Sequence, residues 1–402
     1  MTEEPAIPLP YRRDRVCPFD PAPELNQLRV ELPVSRVELP SGVCVWLVTR
    51  YADARQVLGD TRFSNAATPP WLLRLPTVKG SDEAAATEPG SFIGFDPPEH
   101  TKFRRMLAGE FTVKRISQLR PRVEAIVSEH LDAMEQTGPP VDLVSAFAFP
   151  IPALVICELL GVPYEDRSEF RRLSNLILDL TQPRDQLRLA FKELHVYLAT
   201  LIARQRQQPD DGMLGMLIRE YGDEISDAEI AGIGRLLLFA GHETTASMLA
   251  LGTALLLRHS EQAARLRDNP DLTAPAIEEL LRYLTIAQSA VIRTATEDLQ
   301  IGDQPVQTGD YVMVSLQSAN RDDELYDDPQ RFDVTRKPQS HVAFGHGIHH
   351  CIGAPLARME MQAAFPALLR RFPSLRLAAP FEELSFRTLT TVYGVSELPV
   401  AW

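Results

Sequence analysis

Ser226-Asp227-Ala228-Glu229 opens a stretch that can run as one helix to about Arg258. Serine followed three positions later by glutamate is a capping box, in which each side chain satisfies the other residue's backbone N–H. At 1.5 Å per residue the helix would be roughly 45 Å long, enough to cross a whole domain. Its middle, IGRLLLFAGHETTASMLALGTALLL, is apolar nearly all round, as in a helix buried on every side. The fold therefore has to enclose it. Gly241, His242, Glu243, Thr244 and Thr245 interrupt that apolar run at its centre. A glycine there costs about 1 kcal/mol relative to alanine, and an unpaired buried polar group costs more. Departures of this kind are expected where a site outweighs local stability.

The rest of the chain supplies the enclosure. Residues 121–222 carry apolar positions at three-to-four spacing, broken at Gly138-Pro139-Pro140, Gly161-Val162-Pro163 and Pro209–Gly212, which reads as one helical body. PVSRVELP and VCVWLVT around Ser41-Gly42 predict two short strands, followed by a helix in TRYADARQVLGD. SAVIRTATEDLQI and YVMVSLQSANRD predict further strands. The expected class is mainly α with a small β-rich lobe, and one domain over residues 1–402. Forty-one basic against 54 acidic residues leave a net charge of −13, which argues against nucleic acid as the main partner. The N-terminus lacks the apolar run of a leader or membrane anchor, so a soluble, cytoplasmic monomer is expected. Four scattered cysteines without CxxC pairing suggest neither a disulfide framework nor a cysteine-rich zinc site.

Cys351 is the cysteine set apart, within His341–Glu360, HVAFGHGIHHCIGAPLARME. It lies between a glycine-punctuated loop and a predicted helix, where the helix N-terminus favours a thiolate, and a thiolate binds a soft or borderline metal. Gly345, Gly347 and Gly353 would let backbone pass closely to a flat ligand. On its own Cys351 reads more readily as a small core residue beside a turn. His100 and Arg104, four apart behind Asp96-Pro97-Pro98-Glu99, share a helical face and could hold an anion or simply be solvated. Glu279 and Arg282 can pair across one turn. Pro366 inside the helix pattern after Cys351 should kink or shorten it.

FGHGIHHCIG resembles the haem-binding loop of the cytochrome P450 superfamily, with Phe344, Gly345, Gly347, His349, Cys351 and Gly353 at the motif positions. AGHETT, Ala240–Thr245, resembles that family's oxygen-activating segment; Glu279-Leu280-Leu281-Arg282 resembles its ExxR motif, with Arg331 in QRF as third partner. RVCPFDPAPEL, FTVKRI, LLGVPY and GVSELPVAW are similar to the actinobacterial, ferredoxin-served type. The resemblance implies the haem-thiolate fold and haem b (iron protoporphyrin IX). Cys351 would then be the iron ligand, with Phe344 packed beside it. His100, Arg104, Arg293 and His349 would hold the propionates. Gly241, beside Ala240, would leave room for dioxygen, Thr244 would hydrogen-bond it, and Glu243 would relay protons. It implies monooxygenation of a hydrophobic secondary metabolite (polyketide, macrolide, terpenoid or sterol-like compound, or cyclic peptide), or else oxidative radical coupling without oxygen insertion. Trp71, Leu237, Ala240, Ser289, Ile292 and Val392 would line the substrate pocket. Electrons would come from NAD(P)H through a ferredoxin reductase and a ferredoxin docked near Arg104, Arg105, Lys114 and Arg115.

Overall fold

The computed structural model describes residues 7–9, 13, 16–39, 41–68, 88–178, 182–288, 291–388 and 390–402. In chain order the helices are α1 (Pro23–Glu31), α2 (Tyr51–Gly59), α3 (Glu99–Leu107), α4 (Val113–Thr137), α5 (Pro150–Leu160), α6 (Arg167–Leu178) and α7 (Arg184–Gln207). There follow α8 (Met213–Tyr221), α9 (Asp227–Arg258), α10 (Ser260–Asp268), α11 (Thr273–Leu284), α12 (Leu316–Ala319) and α13 (Ala354–Arg371). The strands are β1 (Ile7–Pro8), β2 (Val34–Glu38), β3 (Cys44–Val48), β4 (Phe63–Ser64), β5 (Val141–Asp142), β6 (Ile292–Ala295), β7 (Leu299–Ile301), β8 (Gln304–Val306), β9 (Tyr311–Val314), β10 (Arg376–Leu377) and β11 (Pro399–Ala401). Mainly helical with small sheets is thus the observed class. Two compact units share the chain: Met1–Ala86 with Ala250–Cys351 and Ala379–Ser396, and Thr87–Leu249 with Ile352–Ala378 and Glu397–Trp402.

The first unit holds the six-stranded sheet, in the order β1-β2-β3-β9-β6-β4. β2 and β3 form the expected hairpin, antiparallel, with Arg36 opposite Trp46. Val45 and Leu47 are buried in one core cluster and Val48 in another, while Cys44 is exposed at the strand start. β9 stops at Val314 because Ser315 caps α12, its hydroxyl accepting from the Ser318 N–H at 3.4 Å. YVMVSLQSANRD is therefore a strand followed by a helical turn.

The second unit is helical, with the short sheet β10-β11-β5. The capping box at the start of α9 forms as written. Ser226 N–H donates to the Glu229 carboxylate at 2.7 Å, Glu229 N–H donates to the Ser226 hydroxyl at 3.2 Å, and Lys102 adds an ion pair to Glu229 at 2.9 Å. A cap of this type stabilises a helix by about 1 kcal/mol. α13 packs along α4 and runs through Pro366 to Arg371, so the proline does not shorten it. The lost backbone bond costs about 3 kcal/mol, while buried Phe365, Leu368 and Leu369 on the same turns each contribute roughly 1.5–3 kcal/mol. Among the described residues no helix is long and apolar enough to cross a membrane.

Candidate active site

In the first unit the loop before Cys351 is folded by glycine. Gly345 and Gly347 both have φ of +71°, in the left-handed region. A Cβ on Gly347 would lie 2.2 Å from the Leu58 carbonyl, so the loop sits directly on the end of α2. Cys351 N–H donates to the Phe344 carbonyl at 2.9 Å and His350 N–H to the Gly347 carbonyl at 3.0 Å, closing the turn. Cys351 emerges exposed and outside any disulfide, near Ile348, an apolar residue also left exposed. Gly353 has an ordinary φ of −78° and serves as the residue preceding α13, so its backbone does not demand glycine. His349 is half-buried in the one-turn helix Gly347–His349. His346 places Nε2 3.4 Å from the Arg55 guanidinium of α2, which ties the loop to that helix.

Glu279 and Arg282 are not a surface pair. Both are buried in α11, joined by two bonds of 2.7 and 2.8 Å, and Arg282 also donates to the carbonyls of Asn320 and Pro329 at 2.9 and 3.0 Å. The third side chain is Arg336, whose Nε lies 3.2 Å from Glu279. Arg331, expected in that role, has a guanidinium 61% exposed beside Asp333 at 3.6 Å. What Arg331 contributes is its carbonyl, which accepts from Arg336 at 3.0 Å. The backbone, not the side chain, faces the network. Arg293 is buried in β6, its Nη1 donating to the Ile292 carbonyl at 2.9 Å.

In the second unit His100 and Arg104 do share a face of α3. His100 is buried against Phe92, and burial, helped by the positive charge of Arg104, pushes its pKa below the usual imidazole value. Along α9 Ala240 is exposed and Gly241, Glu243 and Thr244 are half-buried in the middle of a helix otherwise mostly buried. Thr244 Oγ1 donates to the Ala240 carbonyl at 2.5 Å, one turn back. A Cβ on Gly241 would come 2.5 Å from Ile156 Cδ1 of α5, so at this position α9 packs closely on that side chain. His242, on the opposite side of the helix, is fully buried and bonded to the Phe149 carbonyl at 3.0 Å. On the basic face Arg105 and Lys114 are exposed, but Arg115 is held by Glu110 at 2.9 Å and is not available as expected.

Of the substrate-pocket residues, Trp71 and Ser289 lie outside the described residues. Leu237 is buried on α9 and Val392 is half-buried, bridged to Ala287. Ile292 is buried in a core cluster with Leu25, Val37, Leu47 and Met313. Arg336 and His242 were missed as contact residues. A second arginine five residues after Arg331 was the available signal for Arg336, whereas a histidine in an apolar helix gave no partner. The donor set suits haem: an exposed sulfur beside exposed apolar surface for iron and a flat ring, and imidazole and guanidinium groups for carboxylates. Among the described residues no group of three or more His, Cys, Asp or Glu side chains forms a metal cage.

The sequence profile described as Cytochrome P450 matches residues 180–378. Cytochrome P450-SU2 of Streptomyces griseolus is 46% identical over 397 residues, 99% of this chain and 97% of the relative. Vitamin D3 dihydroxylase of the same organism is 43% identical over 404 residues, 100% of this chain and 98% of the relative. The crystal structure of cytochrome P450 MoxA from Nonomuraea recticatena superimposes with a TM-score of 0.92 at 42% identity, covering 98% of each chain.

Proposed function

The chain belongs to the cytochrome P450 monooxygenases, whose cofactor is haem b, and from that premise we propose that it inserts one oxygen atom of O2 into a C–H bond of a hydrophobic secondary metabolite. The observation that carries this reading is the central strip of α9. There Ala240 is exposed in the middle of a mostly buried helix and Thr244 Oγ1 rests on the Ala240 carbonyl, with Glu243 beside it. When bound, haem supplies the redox centre at which O2, two electrons from NAD(P)H and two protons yield one water and one oxygen atom for the substrate.

The chain's own groups do the rest. Cys351 binds iron as its thiolate, held at the end of a turn that the Phe344 carbonyl closes. His100 and Arg104 from α3, together with Arg293 and His349, bind the propionate carboxylates through charge-assisted hydrogen bonds. Thr244 Oγ1 keeps its proton on the Ala240 carbonyl at rest and can turn it towards O2. Glu243, half-exposed, takes protons from solvent and passes them inward. The apolar Ala240 exposed on α9 suits a medium to large hydrophobic substrate, in line with the vitamin D3 that one relative's name gives as its substrate. A ferredoxin and its NAD(P)H-dependent reductase deliver the electrons to one catalytic domain working as a cytoplasmic monomer, and exposed Arg105 and Lys114 suit an acidic partner.

Turnover under 18O-labelled dioxygen tests the reading. One labelled oxygen atom in the product is expected. A coupled product without label would replace oxygen insertion by radical coupling.

A further inference from the structure

His242 is followed directly by the acid and alcohol assigned to proton transfer, yet its side chain points the other way. With 100° per residue, two positions along a helix are nearly diametrically opposed, so His242 lies behind Ala240 while Thr244 and Glu243 flank Ala240 in front. What His242 meets is the start of α5. Its Nε2 is 3.0 Å from the Phe149 carbonyl and its ring stands edge-on to the Phe149 ring, with centroids 4.7 Å apart. A carbonyl only accepts, so Nε2 carries the hydrogen and the imidazole is neutral, with Nδ1 bare and unpartnered in the protein interior. One residue earlier, Gly241 brings Ile156 of the same helix α5 against the α9 backbone. Phe149 is itself fixed by its N–H bond to the Val144 carbonyl, five residues back. A packed contact and a directional bond thus meet α9 from one neighbour within two residues. The hydrogen bond to a fixed carbonyl adds a directional restraint to that packing.

We infer that His242 is a positioning residue, whose bond to the Phe149 carbonyl sets the rotation of α9 and thereby where Thr244 and Glu243 present their oxygens. The inference rests on the monooxygenase reading above for its functional consequence, but the positioning can be read without turnover. His242→Gln places an amide N–H at about the same reach as Nε2, and His242→Asn stops one methylene short. Both are polar and neutral. The measurement follows the Thr244 methyl resonance, assigned by its loss in Thr244→Ala, in the diamagnetic reduced carbon monoxide complex of the holoenzyme. Peroxide released per NAD(P)H consumed is measured alongside, with vitamin D3 as probe.

The Gln variant should keep the wild-type methyl shift and peroxide yield. In the Asn variant the resonance should move and product per NAD(P)H should fall about tenfold, as misplacement of a reacting group does, with the thiolate Soret band unchanged. An Asn variant with the wild-type resonance, or a Gln variant displaced as far as Asn, overturns the role. Wild-type enzyme that leaves vitamin D3 unoxidised counts against the substrate reading instead, and the resonance then decides the positioning alone.

Discussion

A fully buried imidazole is expensive to charge, and His242 shows the consequence for stability. Burial pushes its pKa down to about 4, only partly offset by the Phe149 carbonyl. The folded protein therefore favours the neutral ring, while the unfolded chain takes up a proton near the ordinary value of 6.5. The stabilisation is complete above that unfolded value and is lost as pH falls through 6.5 towards 4, a total of about 3 kcal/mol. Unfolding midpoints of wild type measured between pH 7 and 4 should fall more steeply than those of His242→Gln. Thr244 is the complementary case at the same scale. Its hydroxyl is half-buried and bonded within its own helix, so Thr244→Ala should cost little stability, under about 1 kcal/mol, while peroxide release rises at the expense of product. Tight coupling in that variant would remove Thr244 from proton delivery.

Elements bring together residues whose separation along a loop says little about contact. Arg331 and Arg336 are both arginines in one irregular segment, and nothing in their order tells which guanidinium folds back onto Glu279. The geometry gives that place to Arg336, because the chain turns at 328–336 and presents the Arg331 carbonyl inward. Removing one member of a buried ion pair strands the remaining charge and typically costs about 3–5 kcal/mol. Glu279→Ala should show a loss of that order in denaturant unfolding, and Arg336→Ala a clear fraction of it. Arg331→Ala should stay within about 0.5 kcal/mol, as exposed positions do. α13 carries the opposite kind of buried charge. Glu360 is enclosed with one carboxyl oxygen unpartnered, and burial raises its pKa well above the ordinary carboxylate value. Its protonated form is the folded form, so its contribution is present below the unfolded carboxyl pKa and is lost as pH rises through the folded value. Glu360→Gln should abolish that part of the alkaline decline seen in thermal unfolding of wild type.

Across the whole molecule, the features set by local chemistry were legible and those set by distant neighbours were not. The capping box, the long apolar run of α9 and the Ser41-Gly42 turn each declare themselves within a few residues, and each stands where expected. Gly345 and Gly347 were legible as a turn, but the seat of Gly347 on Leu58 was not, because Leu58 lies almost 290 positions away in the chain. Ile292 looked like pocket because it precedes Arg293, and in the fold it lies opposite Met313 of β9 within a core cluster. The two buried ionisable groups also act on the molecule as a whole. His242 weakens the fold on the acid side and Glu360 on the alkaline side, so stability should peak between them.

The central claim is that Cys351 holds haem iron through its thiolate. The most direct measurement is the absorption spectrum of the reduced carbon monoxide complex, taken for the wild type and for Cys351→Ala. The wild type should show the strongly red-shifted Soret band of thiolate ligation and the variant should lose it. A wild type without that band, or a variant that keeps it, would contradict the account.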